Sequence, residues 1–199
     1  MLKKIRFIGV YDYTVILTYI SLFSAIFGIT KAIQGRFDYA VLCLLLSGIC
    51  DAFDGIVART KKNRTEPEKE FGIQIDSLCD VISFGVFPGV LGYYMGVDDV
   101  IGTLIVFGYV LCAVIRLAFF NVLESNRQKQ EEGCAKIYRG LPVTSIAVIF
   151  PVVCCLHFWL PEETFVLLLH ILLSVVAFLF ILDFSVPKPD WTKLFRRNA

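Results

Sequence analysis

The 199-residue sequence has few charged residues and lacks the cysteine and histidine patterns that hold metals. Charged side chains make up 19% of the chain, below the roughly 25% of soluble globular domains. The formal net charge is only +1, so there is no bulk positive field to attract nucleic acid. The seven cysteines form no CxxC pair, and most stand inside apolar stretches. This pattern argues against a zinc site and against a disulfide framework.

Apolar residues dominate instead. They account for 57% of the chain, including 18 phenylalanines, and the mean hydropathy is +0.71. A membrane-spanning helix needs about 20 apolar residues, and six stretches approach that length, at 13–30, 39–58, 73–95, 100–122, 141–160 and 164–182. We predict an all-α integral membrane protein with six transmembrane helices in a single domain over residues 1–199. Residues 1–11, with Lys3, Lys4 and Arg6 among apolar side chains, are predicted to form a short interfacial amphipathic helix.

The positive charges are distributed unevenly between the two ends of these spans. Of the 19 lysines and arginines, 16 fall in the N-terminal segment, the second and fourth loops and the C-terminal tail. The third and fifth loops contain none. By the positive-inside rule, both termini and the even-numbered loops are predicted to be cytoplasmic in a multi-pass cell-membrane protein.

Four aspartates stand where lipid disfavours charge, at the predicted cytoplasmic ends of the second and third spans. Asp51 and Asp54 share one helix face, and so do Asp76 and Asp80, because their spacings are three and four residues. The two spans are consecutive and antiparallel, so the four carboxylates are expected to converge. Like charges this close must either take up protons or bind a cation. All-oxygen ligands suit Mg²⁺ or Mn²⁺.

Small residues share the faces that carry the aspartates. Gly55 and Ala58 continue the face of the second span, and Gly72 lies on the face of the third. Such residues let a bulky ligand approach the helix backbones, and Arg59 at the end of the row is placed to pair with a phosphate. The pattern predicts a metal and pyrophosphate site at the membrane surface, with its active face on the cytoplasmic side.

The four acids have two other interpretations. The acids could be interfacial residues paired with the basic loop that holds Lys61, Lys62 and Arg64, but four acids in register on two faces disfavour this. An ion transporter or channel would need acids near the middle of the membrane. The fourth to sixth spans contain none there.

The complete pattern, D-x2-D-G-x2-A-R-x12-G-x3-D-x3-D over residues 51–80, resembles the signature of the CDP-alcohol phosphatidyltransferases. The gap of 12 residues is longer than in many members, and the extra residues fall in the hydrophilic loop, where insertion costs little. The resemblance implies an enzyme that transfers a phosphatidyl group from a CDP-linked diacylglycerol-type lipid to an alcohol and releases CMP. It also implies a homodimer among membrane lipids.

The resemblance implies a role for each signature residue. Asp51, Asp54 and Asp76 would ligate Mg²⁺ or Mn²⁺, and Asp80 would be a further ligand and the general base. The remaining signature positions would line the site of the CDP-linked lipid: Gly55, Ala58, Arg59 and Gly72.

Two further stretches resemble the phosphatidylserine synthase branch of the family. One is R-L-A-F-F-N at 116–121, where Phe119 replaces the arginine of that branch, and the other is G-L-P after Arg139. They imply L-serine as the acceptor, with Arg116, Asn121 and Arg139 as its contacts. Snorkelling of Arg116 and an ordinary loop charge at Arg139 are the plain alternatives. Asp183 is interpreted as a residue that only marks the end of the last span.

The sequence is also compatible with other acceptor alcohols. Glycerol phosphate or inositol phosphate would undergo the same transfer. A phosphorylated acceptor would need more clustered cations beside the site than this sequence provides, which favours serine.

Overall fold

The structure, a computed structural model, describes residues 9–11, 13–61, 65–129 and 137–187. The described helices follow one another in chain order as α1 (Ile16–Ile33), α2 (Phe37–Thr60), α3 (Glu66–Asp80), α4 (Phe87–Tyr94), α5 (Val100–Lys129), α6 (Ile146–Cys155) and α7 (Glu162–Ile181). Shorter helical turns are 3-10 segments at Tyr13–Val15, Val143–Ser145 and Leu156–Phe158 and a π-helix at Val81–Val86. Within the described residues, strand structure is confined to an antiparallel pair, β1 (Ile137–Arg139) and β2 (Ser185–Pro187).

The third span is a composite helix that runs without a break from Glu66 to Tyr94 through α3, the π-helix and α4. Its start is fixed by a capping box. Thr65 accepts a hydrogen bond from the Glu68 backbone, and the Glu68 carboxylate accepts one from the Thr65 backbone at 2.8 Å. The helix therefore begins seven residues before the predicted start at Ile73, in a polar first turn that the membrane-span pattern does not include.

This composite helix is the centre of the bundle. About 61% of its membrane-span window is buried, against 22–33% for the other four long helices. α1 packs along α2, α2 contacts α6, and α5 contacts α7, while the third span touches both α1 and α5. The aspartates of α3 are therefore surrounded by protein on several sides.

Small and hydroxyl side chains allow α1 to approach its neighbours closely. Ser21 and Ser47 donate hydrogen bonds to each other's backbone carbonyls at 3.2 and 2.9 Å, and Ser24 donates to the Cys43 carbonyl at 2.9 Å. A Cβ on Gly28 would lie 2.2 Å from the Phe87 ring. Close approach through small residues and interhelical hydrogen bonds is the usual way in which membrane helices associate.

The predicted number of spans is only partly supported. Among the described residues, five helices are long and apolar enough to cross a membrane. The predicted span 141–160 corresponds to the shorter apolar helix Val143–Phe158, in which α6 carries Pro151 and is flanked by 3-10 turns. The 3-10 turns limit the regular α-helix to ten residues, and Pro151 removes one hydrogen bond within it.

The segment around α6 nevertheless connects the two ends of the bundle. Just before it, the Gly140 backbone donates a hydrogen bond to the Phe184 carbonyl at 2.6 Å, beside the end of α7. At its other end, the rings of His157 and Phe165 lie 4.6 Å apart, near the start of α7. A sixth crossing therefore stays a prediction that the path of the chain favours.

The predicted N-terminal amphipathic helix falls mostly outside the described residues. Residues 9–11, which are described, are not helical. Trp191 and the basic C-terminal tail also lie outside the described part of the chain.

Gly28 offers a test of the close helix packing. Replacing Gly28 with alanine should destabilise the protein by about 1–3 kcal/mol, because the added methyl group would clash with the fully buried Phe87 ring and with Cys43 Cβ at 2.9 Å. Thermal unfolding in detergent measures the effect. The matched control is Gly108→Ala, a helical glycine whose Cβ would have nothing within 4 Å. Equal melting temperatures for the two variants would contradict this packing.

Candidate functional site

The four aspartates meet where the second half of α2 faces the last turns of α3. One oxygen each of Asp51, Asp76 and Asp80 lies within 4.8 Å of the other two. The carboxyl groups also interact across the two helices, Asp51 with Asp80 and Asp54 with Asp76. Carboxyl groups this close require either shared protons or a bound cation. The structure therefore brings the carboxylates of α2 and α3 together, as the sequence predicts.

The donor set fits a hard divalent cation. Every side chain in the cluster offers oxygen, the ligand that Mg²⁺ and Mn²⁺ prefer. Asp76 Oδ1 is buried without a hydrogen-bond partner, although buried polar atoms are nearly always paired. Asp80 is only 8% exposed. An oxygen that lacks a partner, next to two further carboxylates, is an atom that a cation would satisfy.

Asp54 lies beside this group and is held by the first helix. Thr18 Oγ1 donates a hydrogen bond to Asp54 Oδ2 at 3.2 Å. Sequence analysis did not identify Thr18. A signal was present, because Thr14, Thr18 and Ser21 follow helical spacing and all are buried, giving α1 a hydroxyl-bearing face toward the site. The first helix therefore contributes to the site as well as the second and third.

The small signature residues differ in how much of them the structure describes. Gly55 is exposed, and a Cβ there would meet nothing within 4 Å. Gly72 is half-buried in α3, one turn before Asp76. The side chains of Ala58 and Arg59 lie outside the described part of the structure, although both residues belong to α2. Open space beside Gly55 leaves room for a ligand to approach the α2 backbone.

Asn121 is brought to the helix that carries the aspartates. Its Oδ1 accepts a hydrogen bond from Ser77 Oγ at 2.5 Å, and its Nδ2 donates to Gln74 Oε1 at 3.5 Å. Ser77 directly follows Asp76 in α3. The predicted acceptor residue on α5 is thus tied to α3 beside the cluster.

Arg116 is buried, with 8% of its surface exposed, and does not extend to the membrane surface as snorkelling would require. Its Nε donates a hydrogen bond to the Leu141 carbonyl at 3.3 Å. Its guanidinium carbon is 3.5 Å from the position of a Cβ on Gly140, whose φ of +73° favours glycine. The G-L-P stretch is therefore the turn against which Arg116 packs.

Arg139 is described only by its backbone, which pairs with Ser185 in the β1–β2 ladder. This ladder was not predicted from the sequence. It places the segment before the G-L-P turn next to the residues that follow α7, but the Arg139 side chain lies outside the described part of the structure.

The two histidines lie at the opposite end of the bundle from the aspartates. His170 Nε2 is 3.2 Å from Asp99 Oδ1, and Asp99 Oδ1 also accepts a hydrogen bond from the Gly102 backbone at 2.6 Å. These two contacts lower the pKa of Asp99, the Gly102 hydrogen bond having the larger effect. They join the starts of α5 and α7 and have no part in the aspartate site.

Comparison with known sequences identifies the class. The sequence model described as CDP-alcohol phosphatidyltransferase matches residues 13–182, and the chain belongs to this family. The resemblance inferred from the signature is thereby confirmed. The match includes the five long helices, the segment around α6 and all four aspartates.

Several similar proteins have names that refer to serine. An archaetidylserine synthase of Methanothermobacter thermautotrophicus is 38% identical over 152 residues, which are 73% of this chain and 58% of that protein. A CDP-diacylglycerol–serine O-phosphatidyltransferase of Saccharomyces cerevisiae is 35% identical over 116 residues, covering 57% of this chain and 41% of that protein. One of the same name from Methanocaldococcus jannaschii is 29% identical over 170 residues, covering 85% and 72%.

The chain spans about half the length of the first two of these relatives, at 58% and 41%. No solved structure matches the chain.

Proposed function

We propose that the protein is a CDP-diacylglycerol–serine O-phosphatidyltransferase, which moves a phosphatidyl group from a CDP-linked diacylglycerol-type lipid to L-serine and releases CMP in phospholipid biosynthesis. One observation carries the proposal. The family signature is complete, and it folds so that oxygens of Asp51, Asp76 and Asp80 lie within 4.8 Å of one another. The serine-related names of the relatives support the choice of acceptor.

The CDP-linked lipid is proposed to bind along the ends of α2 and α3. Its head group would contact the small faces of Gly55, Ala58 and Gly72, with Arg59 on a phosphate. The open space beside Gly55 supports this placement. The acyl chains would lie against the exposed apolar surfaces of the helices, among the membrane lipids.

Asp51, Asp54, Asp76 and Asp80 are proposed to hold Mg²⁺ or Mn²⁺. When bound, such an ion neutralises the diphosphate and stabilises the CMP leaving group. The closeness of one oxygen each of Asp51, Asp76 and Asp80 supports this ligand set, and Thr18 orients Asp54 beside it.

Asp80 is proposed as the general base. The serine hydroxyl oxygen forms a bond to the phosphatidyl phosphorus, the bond from that phosphorus to the CMP oxygen breaks, and the hydroxyl proton passes to the Asp80 carboxylate. In-line displacement puts the attacking and leaving oxygens on opposite sides of the phosphorus. Asp80 lies one turn beyond Asp76, farther from the connecting loop, and this position suits a base on the side away from CMP.

Arg116, Asn121 and Arg139 are proposed acceptor contacts. Asn121 is supported by its hydrogen bond to Ser77, and Arg116 by its burial behind the G-L-P turn. Transfer to glycerol phosphate or inositol phosphate is the alternative within the class.

The orientation of the protein in the membrane is proposed from the distribution of its basic residues. Both termini and the aspartate end of the bundle would face the cytoplasm, since 16 of 19 basic residues fall in those segments. We also propose a single domain that works as a homodimer in the membrane.

The proposed activity is tested with the purified protein, a CDP-linked lipid and one alcohol at a time. Serine should support CMP release and formation of a serine-headed lipid, whereas glycerol phosphate and inositol phosphate should support little of either. The measurement follows CMP and the lipid product together, so that simple hydrolysis is distinguished from transfer. Transfer to a phosphorylated alcohol in preference to serine would refute the choice of acceptor.

Replacement of Asp80 by asparagine separates the base from the other aspartates. This variant keeps the size of the side chain but loses its basicity, so turnover should fall by roughly 10²–10⁴-fold while the CDP-linked lipid still binds. Asp51→Asn should weaken binding of that lipid directly. CMP release and lipid affinity are measured for both variants at saturating Mg²⁺.

Asp98→Asn, at the opposite end of the bundle, is the matched control for a lost carboxylate. Near wild-type turnover by Asp80→Asn would show that Asp80 is only a ligand and that another group accepts the serine proton.

A further inference from the structure

A cavity of about 220 Å³ lies between α5 and the end of α7. Its described lining contains two charged residues, Arg116 and Asp183, and is otherwise apolar, formed by Ile115, Phe119, Phe180, Ile181 and Leu182. Pockets for drug-sized ligands are roughly 300–1,000 Å³. This cavity therefore suits a small ligand with two opposite charges better than a nucleotide-linked lipid.

The positive side of the cavity is fixed in place. Arg116 is 8% exposed, and its Nε–H is bonded to the Leu141 carbonyl. The Gly140 turn packs against the guanidinium group, where a Cβ would lie 3.5 Å from its central carbon. A buried guanidinium held in this way presents its remaining N–H donors in a fixed direction, which suits a carboxylate.

The negative side of the cavity is the exposed carboxylate of Asp183, two residues after the end of α7. It lines the same cavity as Arg116, so the two opposite charges face one small space. The sequence interpretation of Asp183 as a simple boundary residue did not anticipate this meeting. The two residues are far apart in the chain, and only the packing of α5 against α7 unites them.

The cavity is level with the aspartate cluster. α5 runs antiparallel to the third span, and Tyr109 Oη donates to the Phe84 carbonyl at 2.6 Å, while Asn121 bonds to Ser77. Arg116 lies between Tyr109 and Asn121 on α5, so its level on the third span lies between Phe84 and Ser77. Asp80 is within that interval.

We propose that this cavity binds the zwitterionic part of the acceptor amino acid, with Arg116 on its carboxylate and Asp183 on its ammonium group. The inference rests on the proposed function and adds Asp183 as a residue that determines specificity. Without acceptor, the two side chains compensate each other's charge. When the acceptor is bound, each of the two side chains pairs with an acceptor group of opposite charge. The hydroxyl group of the acceptor then extends toward the level of Asp80.

Asp183 also explains how anionic alcohols would be rejected. A phosphorylated acceptor would bring two negative charges to a cavity whose described lining offers one cation and one carboxylate. A hydroxy acid without an amino group would likewise bring no positive charge to the Asp183 carboxylate. Repulsion of a competitor contributes to specificity in addition to the attraction of the substrate.

The test replaces Asp183 with asparagine and compares serine with 3-hydroxypropionate, which is serine without its amino group. Incorporation of labelled serine into lipid gives the KM for serine and the concentration of 3-hydroxypropionate that halves incorporation. In Asp183→Asn, the KM for serine should rise about 10- to 100-fold, as expected for loss of a hydrogen bond between charged groups. The half-inhibiting concentration of 3-hydroxypropionate should stay the same or fall, because the repulsion is removed.

The different responses of serine and 3-hydroxypropionate distinguish acceptor recognition by Asp183 from a structural role. A structural defect would weaken both compounds together, and it would also lower the affinity for the CDP-linked lipid, which is measured alongside. Asp98→Asn is the control for a lost exposed carboxylate at the other end of the bundle and should change neither value. Asp183→Glu restores the charge and should recover much of the affinity for serine.

Two results would overturn the inference. If serine KM in Asp183→Asn stays within twofold of the wild-type value, Asp183 does not contact the acceptor. If serine and 3-hydroxypropionate weaken by the same factor, the residue is structural. Failure of the proposed function gives a different result, since the wild-type protein itself would then incorporate no serine.

Discussion

The repulsion among four carboxylates in a mostly apolar protein is the constraint on which the rest of the structure depends. Asp51, Asp54, Asp76 and Asp80 are held in contact across two helices, and one oxygen of Asp76 has no partner. Such an arrangement is costly unless protons or a cation compensate the charge. A bundle that needed only stability would place apolar side chains there, so the cluster is best understood as a site.

The surrounding fold holds these side chains in register. The Thr65–Glu68 capping box starts α3 before the membrane-span pattern does, so that Asp76 and Asp80 lie on regular helix. Thr18 orients Asp54, and Asn121 ties α5 to α3 through Ser77. The close approach at Gly28 brings α1 against the third span, while Thr18 and Ser21 donate hydrogen bonds to α2. Helix packing, helix capping and interhelical hydrogen bonds therefore all position the aspartate cluster.

Periodicity and charge predicted much of this from the sequence. Long apolar stretches mark the five long helices, and the spacing of the four aspartates predicts that they share helix faces.

The features that the sequence did not predict depend mostly on contacts between distant segments of the chain. The Thr18–Asp54 bond needs α1 beside α2, the β1–β2 ladder joins residues about 48 apart, and Arg116 meets Asp183 only when α5 packs on α7. The early start of α3 was predictable, because T-x-x-E with a proline is a capping signal. The 3-10 turns on both sides of α6 were missed because an apolarity count does not distinguish them from regular α-helix.

The most direct test of the central claim is whether the aspartate cluster binds a divalent cation. Mn²⁺ binding to the detergent-purified protein, with CDP-linked lipid present, can be followed by the loss of the free-ion signal in electron paramagnetic resonance. The wild-type protein and Asp98→Asn should bind Mn²⁺ equally. Asp76→Asn should bind it at least about 10-fold more weakly, since it removes the negative charge of a proposed ligand, and even changes outside the ligand set cost 10–100-fold. Equal Mn²⁺ affinity in Asp76→Asn and the wild-type protein would contradict the account.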